Sequence, residues 1–449
     1  MADLVVRGGD IVTTDGVRCA DLAIEDGVIA AIGEELPGGR NEIDATGLTV
    51  LPGVIDAHVH FNEPGRAEWE GAATGSRALA ACGGTVFFDM PLNSTPCTIG
   101  VVDFDRKRVA LETTSIVDFG IWGGLVPGRI GDMEAMAERG VVGFKAFMCD
   151  SGLPEFPRAD DLTLMEGMRE AARLGLPVAV HAESEELTSA LARRRVGRTA
   201  RDFAVSRPVV AELEAIQRAL LFAAETGVAL HIVHISSGRG VAAAFEARTR
   251  GVSVSIETCP HYLFFTEDDV ERLGTVAKCA PPLRSVGDHE ALWKEVLAGH
   301  VDLVASDHSP THPALKATDF VSAWGGIAGV QSTLAVLLEQ GYHARGLSLE
   351  RISALLATTP AKRFGVVGKG SIASGQDADM VLVDLGSRFT LTASSLLQRH
   401  PMSPYIGATF RGTVRRTIRR GETVYLDGRT TETRGGRLVR PATVGSRPG

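Results

Sequence analysis

Eight apolar runs, spread over residues 49–309 and separated by Ala-, Leu-, Glu- and Arg-rich segments of helical period, constrain this 449-residue chain more than any other feature. They are "TVLPGVIDAHVH", "GTVFFDMP", "SIVDFGIWGGL", "VVGFKAFM", "LPVAVHAES", "VALHIVHISS", "VSVSIETCPHY" and "VDLVASDHS". Runs of this kind read as buried strands, and segments such as "TLMEGMREAARLG" and "AELEAIQRALLFAAETG" read as amphipathic helices beside them. Eight parallel strands close into a ring whose interior side chains fill, so a (β/α)8 barrel is expected, with a doubly wound open sheet as its competitor.

The texture is different at both ends. Residues 1–52 read as short strands punctuated by Gly and Asp-Gly turns, and strand-and-turn texture returns over 369–449, in "GSIASGQDADMVLVDL" and "TVRRTIRRGETVYLDG". The two ends are expected to pair as one β domain flanking a barrel of residues 53–368, with "RPATVGSRPG" as a flexible tail.

Charge narrows the partners. With 46 Lys+Arg against 55 Asp+Glu the formal net charge is −9, so no basic surface for nucleic acid or anionic lipid is expected, and a small molecule is the default partner. The six cysteines, Cys19, Cys82, Cys97, Cys149, Cys259 and Cys279, lack C-x-x-C spacing, which argues against a zinc ribbon and a disulfide framework. "MADLVVRGGD" has no signal-peptide architecture and no apolar span is long enough for a bilayer, so a cytoplasmic protein is expected.

In a barrel, reactive groups come from the carboxyl ends of the strands. Here those ends carry His58, His60, Lys145, His181, His234 and Asp307. His58 and His60 alternate onto one side and form a chelate, and imidazole with carboxylate is an ordinary ligand set for zinc and similar ions. Lys145 sits among apolar strand residues, where it either pairs with an acid or loses its charge. As a neutral amine it can capture carbon dioxide and become an anionic carbamate bridging two cations. Two divalent ions held this way activate a shared water for attack on a carbonyl, with Asp307 as general base, so hydrolysis is the expected reaction class. His231, three residues before His234, is expected on the opposite face in a structural role. His261 is read either as a substrate contact or as packing.

The stretches "DAHVHFNEPG", "GFKAF", "VHAES", "HIVHISS", "ETCPHYL", "KCAPPLR" and "SDHSP" resemble the cyclic amidohydrolases: dihydropyrimidinases, hydantoinases, dihydroorotases and allantoinases. Within that family, "FNEPGRAEWEGAATGS", "FFDMPLNSTP", "WGGLVPG" and "WGGIAGVQSTLAV" are most similar to the allantoinase branch. The resemblance implies a (β/α)8 TIM barrel with a β-sandwich from both chain ends and a homotetramer. It also implies a binuclear centre, usually zinc: His58 and His60 on the first ion, N6-carboxylated Lys145 bridging, His181 and His234 on the second, Asp307 returning to the first. Cobalt, manganese, nickel and iron suit the same donors.

Two departures bear on substrate. The oxyanion-donor tyrosine of hydantoinases is replaced by Asp150, and the carboxylate-clamping arginine of dihydroorotases by Asn62. A carboxylate-bearing ring is therefore disfavoured, and the resemblance implies an uncharged one, allantoin opened to allantoate, with main-chain groups around Ala280 and Gly325 reading the ring edge; Asn93 is a further candidate contact, equally readable as a turn former. The alternatives are hydantoinase or dihydropyrimidinase activity on other cyclic amides, and a non-catalytic scaffold.

Overall fold

Parallel strands at 54–59, 84–89, 118–121 with its continuation 123–124, 144–147, 178–181, 230–232, 254–258 and 303–304 form a ring in the computed structural model, which describes residues 1–431 and 435–442. Each strand pairs with its sequence neighbour. The seam closes where Val59 bridges His308 and the His60 N–H donates to the His308 carbonyl at 2.8 Å. All eight apolar runs supply a barrel strand, and the open-sheet alternative falls with the closed seam. The end of the expected tail, residues 443–449, lies outside the described residues.

The helices outside the ring follow from local sequence. Asp161–Arg173 begins where the Asp160 carboxylate accepts the Thr163 N–H, and buries Leu164, Gly167, Met168 and Ala171, positions that share one helical face. Val209–Thr226 ends at Gly227, whose left-handed φ of 71° suits a residue without Cβ. Truncating Leu164 to Ala removes a buried side chain from this layer and costs about 2–5 kcal/mol.

Inside the ring, Ile55, Ala57, Val86, Phe88, Trp122, Ala179, Val233, Leu303 and Ala305 pack as one cluster. Trp122 plugs the third strand: its indole N–H donates to the Ala57 carbonyl at 3.0 Å, joining the interior of two strands. This apolar floor leaves only the mouth of the barrel for polar chemistry.

Nine strands form the second sheet. Residues 4–52 supply Leu4–Thr13, Gly16–Glu25, Val28–Gly33, Asn41–Asp44 and Thr49–Pro52; the other chain end supplies Met380–Thr390, Thr409–Arg419, Glu422–Leu426 and Arg429–Thr430. Antiparallel pairing of Leu51 with Val381 joins the two ends. Folded over a core that includes Val6, Ile11, Leu22, Val50, Met380 and Ile418, these strands make the flanking β-sandwich. The run "TVLPGVIDAHVH" is thereby divided: Thr49–Pro52 belongs to the sandwich and Val54–Val59 to the barrel. Gly53 marks the break, because a Cβ there would meet Thr85 Oγ1 at 2.4 Å.

Candidate metal centre

The first barrel strand points Ile55 and Ala57 into the interior cluster, yet His58 and His60 also face the mouth. A register shift between Asp56 and Val59 rephases the strand, sending Val59 outward into the helix layer and both imidazoles inward. Asp56 holds this kink, accepting the His58 N–H at 3.2 Å and the Ser306 N–H at 3.1 Å from the last strand's extension. Burial pushes its carboxyl up to about 6, opposed by the Ser306 bonds.

Nε2 of His58 lies 3.2 Å and Nε2 of His60 3.4 Å from Oδ1 of Asp307. These three donors lie within 4.8 Å of one another. Burial works against ionisation of Asp307, but His58, then His60 and His234, hold it far below the usual carboxylate range. The His234 ring stands 5.5 Å from that of His58 and 4.6 Å from that of His181. His234 and Asp307 both adopt left-handed backbone, with φ of 39° and 45°. Such conformations in non-glycine residues are costly and cluster where surrounding structure imposes a functional geometry.

Each side of this group has a carboxylate behind it. Glu257 Oε1 takes His58 Nδ1 at 2.8 Å and Glu183 Oε2 takes His181 Nε2 at 2.8 Å, so each ring keeps its other nitrogen for a ligand. Burial opposes the charge on Glu257, yet His58 and His231 hold it down to about 2; burial likewise opposes that on Glu183, which Arg207 and His181 hold at about 2. Arg207 also forms a short ion pair with Glu183. Desolvation lowers His60, His181, His231 and His234, keeping the imidazoles in the neutral, ligating form.

Lys145 is 1% exposed and its Nζ has no hydrogen-bond partner; the nearest π face is Phe147, 5.1 Å away. Burial lowers its pKa to about 8, against the pull of Asp307 and Glu257. His234 Nδ1 is equally buried and unpartnered. Unsatisfied buried nitrogens aimed at a cluster of imidazoles and a carboxylate are costly unless something else ligates them, and the donor set of four imidazoles, one amine and one carboxylate fits divalent cations. Cys149 and Cys259 also approach this region, but burial pushes the first thiol up to about 12 and the second well above its ordinary value, so neither is a thiolate ligand.

The six strand-end residues line one cleft of about 350 Å³ together with Asn93, Asp150, Arg207, Ala280 and Gly325. Asn93 turns the chain with a φ of 73°, and its Nδ2, in the cleft lining, lies 3.4 Å from Ser309 Oγ. His261 is placed differently. It is buried behind Asp307, outside the cleft wall, with both ring nitrogens unpartnered and its pKa lowered to about 4 by desolvation. Asn62 is not a clamp, because it is buried and its amide donates to the Pro310 carbonyl at 3.1 Å.

The expectation for His231 is corrected. It does not face away: Nε2 lies 3.0 Å from Glu257 Oε2, Nδ1 lies 2.8 Å from Ser255 Oγ, and the ring stacks over Trp122 inside the barrel. Strand alternation stops at Val233, and the left-handed turn at His234 brings both histidines inward. Sequence reasoning passed over Glu257, Glu183 and Arg207. For Glu183 a signal was available, two residues beyond His181 on the same side.

A closed eight-stranded barrel with ligating groups at one mouth and a β-sandwich from both chain ends defines a class of metal-dependent hydrolases. The amidohydrolase family matches residues 49–424, and the chain belongs to it. It is 65% identical to an allantoinase from Solibacter usitatus over 98% of this chain and 97% of that one, and 57% identical to an allantoinase from Rubrobacter xylanophilus over 98% of both. Among solved structures, an L-hydantoinase (dihydropyrimidinase) from Arthrobacter aurescens superposes with a TM-score of 0.96 at 34% identity, covering 98% of this chain and all of that one.

Proposed function

We propose that this protein hydrolyses the hydantoin ring of allantoin to allantoate. The observation that carries the reading is near-full-length likeness to allantoinases in a chain whose six strand-end donors converge on one cleft. His58, His60 and Asp307 would hold one divalent cation and His181 and His234 a second, with Lys145 between them. Bound there, the cations supply Lewis-acid polarisation of a carbonyl and lower the pKa of water. Zinc is the family's usual ion, and the donors equally accept cobalt, manganese, nickel or iron.

The chain's own residues do the rest. Lys145, reached as a neutral amine because of its burial, adds to carbon dioxide, releases one proton and becomes a carbamate; the unpartnered Nζ supports this. Asp307 Oδ1 faces both imidazoles, which leaves Oδ2 to accept the proton of the attacking water and return it to the departing ring nitrogen. Glu257 and Glu183 fix the rings of His58 and His181 throughout. The main chain at Ala280 and Gly325 reads the ring edge, and Asn93 adds a side-chain amide. No cationic clamp for a substrate carboxylate stands at position 62, which favours an uncharged ring.

The structural likeness to an L-hydantoinase keeps a second reading in view, hydrolysis of other cyclic amides by the same groups. Turnover of allantoin, hydantoin and dihydrouracil measured side by side separates the two. Allantoin is expected to have the highest kcat/KM; a preference for dihydrouracil overturns the assignment. Unpaired cysteines throughout the described residues support a reducing, cytoplasmic setting. The tetramer expected from the resemblance is tested by analytical ultracentrifugation.

A further inference from the structure

One wall of the cleft is the segment 322–326, and two lysines stand behind it. Lys278 and Lys316 are 5% and 6% exposed, and neither forms an ion pair among the described residues. Their ammonium protons go to main-chain carbonyls instead. Lys278 donates to Val321 at 2.8 Å and Ala323 at 2.5 Å; Lys316 donates to Thr275 at 3.0 Å, Trp324 at 2.8 Å and Gly326 at 2.8 Å. Burial without an anion lowers both pKa values, Lys278 to about 8 and Lys316 to about 7, yet the three carbonyls within 3.0 Å of Lys316 Nζ call for the three N–H donors that only the ammonium has.

What an ammonium adds is one-sidedness: it has donors and no acceptor, so only a carbonyl can face it. Across a planar trans peptide the C=O and the following N–H point in opposite directions. Lys316 holds the Trp324 carbonyl, so the Gly325 N–H is turned to the other side. The Gly326 N–H donates to the Lys278 carbonyl at 2.7 Å, so the Gly325 C=O is likewise turned away from the lysines. Gly325 is exposed to the cleft, and neither its N–H nor its C=O has a hydrogen-bond partner among the described residues. A Cβ at Gly325 would meet nothing within 4 Å, so the space in front of this residue is open.

We propose that Lys316 is a positioning residue whose ammonium locks the Trp324–Gly325 peptide plane, while the Lys278 ammonium braces the wall upstream at Val321 and Ala323, so that the Gly325 N–H and C=O stand together toward the –CO–NH– edge of a cyclic amide. The inference rests on the hydrolytic reading given above and deepens it by assigning the ring-edge specificity to a cation outside the cleft lining. Both lysines hold the wall in the absence of substrate.

The test compares wild type with Lys316→Met, Lys278→Met and Lys316→Arg, using whichever of allantoin, hydantoin or dihydrouracil the wild type opens fastest. Failure of the allantoin assignment shows in the wild type alone; the variants test the lysines on whatever ring is turned over. Lys316→Met is expected to raise KM about tenfold or more and Lys278→Met by less, with a smaller fall in kcat and unchanged metal per chain, since ground-state orientation is lost while the metal ligands stay. Amide hydrogen exchange over 321–326 is expected to quicken, a readout that needs no substrate, and Lys316→Arg is expected to restore part of both. A purely structural lysine would lower the melting temperature with KM unmoved. Unchanged KM and unchanged exchange over 321–326 in Lys316→Met overturn the proposal.

Discussion

Nδ1 of His58 stands 2.8 Å from Oε1 of Glu257, and this contact leaves Nε2 as the nitrogen that faces Asp307. Glu257 does this while accepting from His231 on its other oxygen and from the His234 main chain at 3.1 Å, so one buried carboxylate aligns two of the proposed ligands on different strands. Glu257→Gln keeps the shape and removes the charge. It is expected to weaken metal binding about 10–100-fold, read by competition with a chelating dye. Affinity equal to wild type would show that Glu257 does not orient the ligands.

Acid should act on this network before it acts on the fold at large. In metal-stripped protein, Glu257 and Glu183 titrate near 2, below their ordinary value of 4.5, so the stability they contribute is present above pH 4.5 and is lost as the pH falls toward 2. Buried His60, His181 and His231 titrate below 6.5, so the unfolded chain takes up protons first and stability starts to decline below pH 6.5. The melting temperature of stripped protein is therefore expected to fall steadily from pH 6.5 downward. A melting temperature that stays flat from pH 6.5 to 3 contradicts the assigned protonation states.

Lys145→Ala removes the only amine among the six donors. The variant is expected to fold, because it deletes an unpartnered polar atom, and to lose most of its bound metal together with activity on the order of a thousandfold. Wild-type metal content in this variant would show that the lysine is not needed to hold the ions.

Far from the cleft, Lys369 lies 2.9 Å from Asp118, 2.8 Å from Asp377 and 2.7 Å from Asp379, and Arg420 also pairs with Asp118. The three carboxylates could be taken for a cation site, but the ammonium already fills it. Asp118 belongs to the barrel and Arg420 follows a sandwich strand, so the cluster joins the two layers. Lys369→Met leaves buried carboxylates without their cation and is expected to cost about 3–5 kcal/mol in urea unfolding, with kcat of the remaining folded protein unchanged. A loss under 1 kcal/mol would mean that the cluster is not what binds the layers.

Much of the site could be read from sequence because strand alternation and strand-end placement are local properties. His58, His60, His181, His234 and Asp307 lie at the ends of apolar runs and Lys145 within one, and each lines the cleft. What could not be read depends on contacts between strands. Glu257 matters because of where its two oxygens reach on neighbouring strands, which no spacing encodes. His231 defeated the alternation rule because a left-handed residue follows the strand, and the division of "TVLPGVIDAHVH" at Gly53 reflects a close approach to Thr85, 32 residues later in the chain. Lys278 and Lys316 look like ordinary surface lysines in sequence; only their carbonyl partners reveal them.

The central claim is that these six donors hold two divalent ions that the hydrolysis of allantoin requires. The most direct measurement counts metal per chain while following allantoin hydrolysis, first in the purified protein, then after chelation, then as divalent ions are returned in bicarbonate buffer. The account predicts activity that disappears with the metal and recovers in full as content approaches two ions per chain. Full activity in metal-free protein, or saturation with two ions and no hydrolysis of allantoin, would contradict it.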